Sequence, residues 1–116
     1  MLNPGVIDSL PVVPLTYGPL IPVTLLGGTI LQVTITDNVA FVFNNPTGAL
    51  TPGAAVLLRY INASGGAHGA GTFGTNYRVS AANPAAVANG FSRTIGFIWI
   101  APLLVEIFRT AADVPN

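Results

Sequence analysis

The chain of 116 residues contains no cysteine and no lysine, and only 7% of its residues are charged. Without cysteine there is no disulfide framework, no thiolate zinc site and no thiol nucleophile, and the redox compartment goes unmarked. The charged set is Arg59, Arg78, Arg93, Arg109, Asp8, Asp37, Glu106 and Asp113, with a formal net charge of zero. Four scattered arginines make no basic patch, so a nucleic-acid partner held by phosphate contacts is not expected.

Long apolar runs are also missing. Proline at 11, 14, 19 and 22 breaks the stretch from Leu10 to Leu26, and Pro102 interrupts the shorter run from Ile95 to Val105. Neither approaches the roughly 20 residues that a bilayer-spanning helix needs, and no membrane partner is expected. The N-terminal MLNPGVID lacks the basic and continuous apolar regions of a signal peptide.

What is abundant is apolar surface: 51% of residues are hydrophobic, with a mean hydropathy of +0.65. Ordinary soluble domains carry roughly 25% charged residues and keep their net charge away from zero, which resists association. A chain this poor in charge is expected to be covered by neighbours.

No segment sustains a helical period, whereas short β-branched runs bounded by Gly, Pro and Asn recur. The fold class is therefore all-β. Residues 1–20, rich in proline, are expected to form an extended N-terminal arm, and residues 21–116 a jelly-roll-like antiparallel sandwich of six to eight strands. From Thr29 to Thr36, Leu31, Val33 and Ile35 alternate with polar residues, as in a half-buried strand. After the turn signal Asp37-Asn38, Val39, Phe41 and Phe43 repeat the period of two, which predicts a hairpin with the preceding strand. Thr51-Pro52-Gly53 predicts a turn, Ala54 to Asn62 and Thr72 to Ser80 further strands, and Arg93 to Ile100 with Leu103 to Thr110 a closing hairpin.

The tip of that hairpin, Trp99-Ile100-Ala101-Pro102-Leu103-Leu104, has neither charge nor turn-forming polar residues. Free turns normally expose polar groups. Trp99, Ile100, Pro102, Leu103 and Leu104 are thus expected to lie in a subunit contact.

Chemistry-bearing residues are sparse. His68, the only histidine, sits in the glycine-rich loop Gly65 to Gly71 with no carboxylates at ligand spacing, and no metal or cofactor is expected. Ser9, Ser64, Ser80 and Ser92 lack a nucleophile-elbow context, and the four carboxylates offer no obvious glycosidase pair, so no enzyme activity is expected. The glycine loop has no P-loop lysine. Asn62-Ala63-Ser64 matches a glycosylation sequon, which has meaning only in a secreted eukaryotic protein. Glu106 stands among apolar neighbours where an unpaired charge is costly. It is expected to pair with an arginine, Arg59 or Arg78 first, as a structural link.

From about Ala54 onward the chain resembles a small β-sandwich module of phage structural proteins, found in trimeric head decorations and tail-fibre ends. The resemblance is carried by a Gly-rich turn leading into Thr72-Phe73-Gly74-Thr75-Asn76-Tyr77-Arg78 and by the closing strand Leu104-Val105-Glu106-Ile107-Phe108-Arg109. In that module the closing strand reads Trp-x-Glu-x-x-Arg; Glu106 and Arg109 match, Leu104 replaces the tryptophan, and Ile100-Ala101-Pro102-Leu103 replaces a polar turn. The resemblance implies a homotrimeric jelly roll without catalytic residues, a virion decoration or cement protein on the capsid surface whose partners are itself and the major capsid protein or other virion proteins.

Two alternatives stay open. One is a receptor- or carbohydrate-binding fibre tip using Tyr60, His68, Tyr77 and Trp99, although a chain that starts at Met1 with no shaft ahead of it is not what a fibre tip would be expected to show. The other is a single-jelly-roll capsid shell protein, for which the chain is short.

Overall fold

The structure is a computed structural model that describes residues 12–25, 30–80, 84, 86–110 and 113–116. Among the described residues ten strands form: β1 (Val12–Pro14), β2 (Leu20–Ile21), β3 (Ile30–Ile35), β4 (Phe41–Phe43), β5 (Ala55–Asn62), β6 (Gly71–Phe73), β7 (Tyr77–Arg78), β8 (Phe91–Ile100), β9 (Leu103–Arg109) and β10 (Val114–Pro115). No helix occurs among the described residues, and the class is all-β.

The strands divide into two layers, one mixed and one parallel. A seven-stranded sheet runs β1-β3-β5-β8-β9-β7 with β10 beside β8, and a three-stranded sheet runs β2-β4-β6. Successive strands alternate between the two sheets, so the first six wind as a flattened parallel coil. β1, β3 and β5 stack in parallel in the large sheet, and β2, β4 and β6 in parallel in the small one. The antiparallel part is the C-terminal closure, in which β8 pairs with β5 and turns back into β9.

This corrects the expected antiparallel sandwich. The hairpin between the strands around Val33 and Phe41 does not form: Asp37 and Asn38 do mark a chain reversal, but it is a corner that carries the chain from one sheet to the other. The inward-facing residues explain the corner, because both strands bury alternate apolar side chains. Leu31, Val33 and Ile35 face the core from the large sheet, and Phe41 and Phe43 face it from the small one. Asp37 holds the corner by accepting the Val39 N–H at 3.0 Å and the Tyr17 hydroxyl proton at 2.5 Å.

Of the expected N-terminal arm, residues 1–11 lie outside the described residues. Residues 12–14 pair with β3 and residues 20–21 with β4, which makes this part a turn of the winding. The turn at Thr51-Pro52-Gly53 is present, with Ala54 N–H donating to Thr51 O at 2.9 Å and Gly53 at a φ of 83° that suits glycine.

One core lies between the layers. Ile21, Val23, Phe41 and Phe43 from one side meet Leu31, Val33, Leu58, Tyr60, Ile95, Phe97, Trp99 and Leu104 from the other. Phe73 and Tyr77 join the aromatic set, stacking against Phe43 at 5.4 Å and packing against Phe97 at 5.8 Å between ring centroids. Such rings bury large areas and favour these offset and edge contacts.

Candidate functional site: the outer face of the large sheet

In a strand, successive side chains point to opposite faces, and residues paired across strands share a face. Leu31, Leu58 and Ile95 point into the core. Their neighbours Ile30, Leu57 and Gly96 therefore lie on the outer face of the seven-stranded sheet. The register aligns these outer residues in one row across five strands: Val12 with Ile30, Ile30 with Leu57, Leu57 with Gly96, and Gly96 with Phe108. Every side chain in the row is apolar. Gly96 is where the row closes up, since a Cβ there would run into the ring of Phe108.

Toward the β8–β9 turn the same face continues with Ala55, Ile98 and Val105, then Ile100 opposite Leu103. Ile100 is 50% exposed, Val12 51% and Phe108 48%. Away from the turn the face becomes polar. Gln32, Arg59 and Thr94 form the next row, with Arg59 donating to Gln32 Oε1 at 2.8 Å and to Ser92 Oγ at 3.2 Å. The outer face is thus split into an apolar half, which ends at the hairpin tip, and a mainly polar half organised by one arginine, with Ile61 as an apolar member.

The hairpin residues separate accordingly. Trp99 and Leu104 are buried in the chain's own core, at 4% and 1% exposure, and cannot serve an intersubunit contact without unfolding. Ile100 and Pro102 are exposed and Leu103 half-buried. Only these three of the five expected contact residues are placed to meet a partner. The members of the patch that sequence reasoning did not single out include Val12, Ile30, Leu57, Ile98 and Phe108. Their signal was present, because Val56-Leu57-Leu58 and Phe97-Ile98-Trp99 are apolar at both parities, the mark of a strand covered on both faces.

Glu106 does have an ionic partner, but not Arg59 or Arg78. Its carboxylate accepts from Arg109 Nε at 2.9 Å and Nη2 at 2.5 Å, and from Ser80 N–H and Oγ at 3.1 and 2.8 Å. Residues three apart on a regular strand face opposite ways. Here the register slips between Gly96 and Phe97, which pair with Phe108 and Glu106, leaving Ile107 as an extra residue. That bulge turns Glu106 and Arg109 to one side. Arg59 lies on the opposite face, and Arg78 donates to the carbonyls of Thr75 and Tyr77. The Arg109 guanidinium and the Ser80 donors outweigh burial and push the Glu106 carboxyl down to about 2.

His68 is half-buried. Its Nε2 accepts the Val87 N–H at 3.0 Å, so the neutral ring carries its proton on Nδ1, which donates to Gly69 O at 2.7 Å. Both nitrogens serve backbone groups, and the ring tethers the glycine loop to the segment around Val87. Asn62 reinforces that link. Fully buried, it donates to Gly66 O and Val87 O, both at 2.8 Å, and accepts from Ser64 N–H and Oγ. The sequon asparagine is therefore committed inside the fold. A cavity of about 360 Å³ lies beside this tether, lined by Gly66, Ala67, His68 and residues 86–89, with no carboxylate in its wall.

The hydroxyls of Ser64, Ser80 and Ser92 engage Asn62, Glu106 and Val114 O respectively, and Ser9 lies outside the described residues. Among the described residues no three His, Asp or Glu side chains come together. Tyr60, Tyr77 and Trp99, named for a sugar platform, are buried at 1%, 5% and 4% exposure and do not share a surface with His68. No family model matches the chain, and no curated protein matches it in sequence.

Proposed function

We propose that the protein is a structural subunit that works by association, with the apolar half of the outer sheet face as its contact surface and copies of the same chain as its first partner. The observation that carries this reading is the row Val12, Ile30, Leu57 and Phe108, closed by Gly96 and continued to Ile100 and Leu103. With strands about 4.8 Å apart and side chains on one face recurring at about 6.7 Å, the apolar half covers on the order of 300 Å² in projection. A contiguous apolar patch of roughly 300 Å² is within the range of the largest patch on an ordinary monomer, which is often functional.

Magnitudes shape the kind of assembly. Two such patches facing each other remove roughly 600 Å² from water, on the order of 15 kcal/mol gross at about 25 cal/mol per Å². Association costs about 4 to 15 kcal/mol in lost freedom. The pairwise contact is consequently modest and depends on concentration. A shell in which each subunit makes several such contacts at once gains stability from their multiplicity.

The particular role we propose is a virion decoration or cement protein, a homotrimer on a capsid surface that also touches the shell protein. Its support is the near absence of charge and the match of Glu106 and Arg109 to the closing-strand pattern of phage modules. The trimer does not need jelly-roll connectivity, because the mixed winding presents an equally continuous face. The test is light scattering on the purified protein followed by co-sedimentation with empty particles at low and high salt. Trimers that co-sediment at both salt levels are expected; a complex that dissociates on raising salt alone would point to charge, not apolar burial, as the link.

A further inference from the structure

A parallel winding has an end where the next strand would add, and among the described residues that end is formed by β1 in one sheet and β2 in the other. An open strand edge is a template for pairing with another copy. Which backbone groups it offers follows from the bonds each edge makes inward. Leu15 N–H donates inward to Gln32 O at 2.7 Å, so Val13 and Leu15 turn their N–H and C=O toward β3, while residues 12, 14 and 16 turn theirs outward. In the second sheet Pro19 O, Ile21 O and Val23 O accept from Val42, Asn44 and Thr47, and Leu25 N–H donates to Thr47 O. Residues 20, 22 and 24 therefore face outward.

Proline occupies the middle outward position of each edge: Pro14 on the first and Pro22 on the second, both exposed. Neither has an N–H to donate, and each ring fills the space a pairing strand would need. We infer that Pro14 and Pro22 guard this end of the winding against strand addition by a second copy of this chain. This inference rests on the winding alone and is independent of the assembly role proposed above.

Amide hydrogen exchange on the wild-type protein, dilute and concentrated, tests it. The outward amide of Leu20, in the small sheet and away from the proposed contact face, should exchange at least about 100-fold faster than the bonded amide of Leu25 at every concentration. Protection of Leu20 on concentration would overturn the inference. Removing the guard is the complementary arm: Pro14→Val with Pro22→Val should convert a protein of discrete size into growing, thioflavin-positive assemblies. A double variant with native circular dichroism that keeps the wild-type size would equally overturn it. If the double variant fails to fold, the exchange experiment on the wild type decides alone.

Discussion

Glu106 and Arg109 stand three residues apart in one strand yet meet side to side, because Ile107 is an extra residue in the β8–β9 ladder. Together with Ser80 the pair ties β9 to the segment after β7, on the edge side of the large sheet. Replacing Glu106 by alanine leaves the Arg109 fork and two Ser80 donors without an acceptor, and should cost about 1 to 3 kcal/mol in chemical denaturation.

The same pair predicts a pH window. The folded-state value of Glu106, about 2, lies below its ordinary 4.5. A depressed value means that the group stabilises the fold fully above about 4.5 and loses that contribution as pH falls toward 2. The difference in melting temperature between wild type and Glu106→Gln should therefore be constant from pH 5 to 7 and shrink below pH 4.5. A difference that stays constant down to pH 2 would contradict the geometry.

Asn62 is fully buried with all its polar groups engaged. Asn62→Ala should destabilise by about 2 to 3 kcal/mol, because the Val87 carbonyl and the Ser64 N–H lose their side-chain partner at once, while Gly66 O keeps the Ser64 hydroxyl. Asn62→Asp should be worse, since it aims carboxylate oxygen at the carbonyls of Gly66 and Val87 in a buried site. Urea midpoints of the two variants give the order.

Two glycines should differ in tolerance. A Cβ on Gly69 meets the backbone carbonyl of Val39, which cannot move away, and Gly69→Ala should cost about 2 to 3 kcal/mol. A Cβ on Gly96 meets only the ring of Phe108, itself 48% exposed and free to swing outward. Gly96→Ala should cost less than about 1 kcal/mol in stability while displacing Phe108 from the outer row, an effect to be read as weaker self-association and not as a lower melting temperature.

The strands themselves were legible because their signal is local. Leu31, Val33 and Ile35 alternate with polar residues, and Ala101-Pro102 separates two apolar runs that pair as a hairpin. Pairing was not legible. A turn signal such as Asp37-Asn38 reports that the chain bends and carries no information on whether the next strand joins the same sheet. Parallel stacking of β1, β3 and β5 depends on contacts between turns of unequal length, which leave no fixed period. The ionic partner of Glu106 was hidden for a similar reason, since a bulge changes which residues share a face without altering composition. The contact face was half visible: the hairpin tip stood out by its lack of polarity, but its extension to Val12 and Phe108 required the register.

Sedimentation of the purified protein across a wide concentration range, compared with Leu57→Glu, tests the proposed contact face most directly. Leu57 lies in the middle of the apolar row, so a carboxylate there should abolish association while leaving the circular dichroism unchanged. The wild type is expected to shift from monomer to a discrete oligomer as concentration rises, and the variant to remain monomeric. A wild type that stays a freely soluble monomer at millimolar concentration, or a variant that associates as well as the wild type, would contradict the assignment of this face.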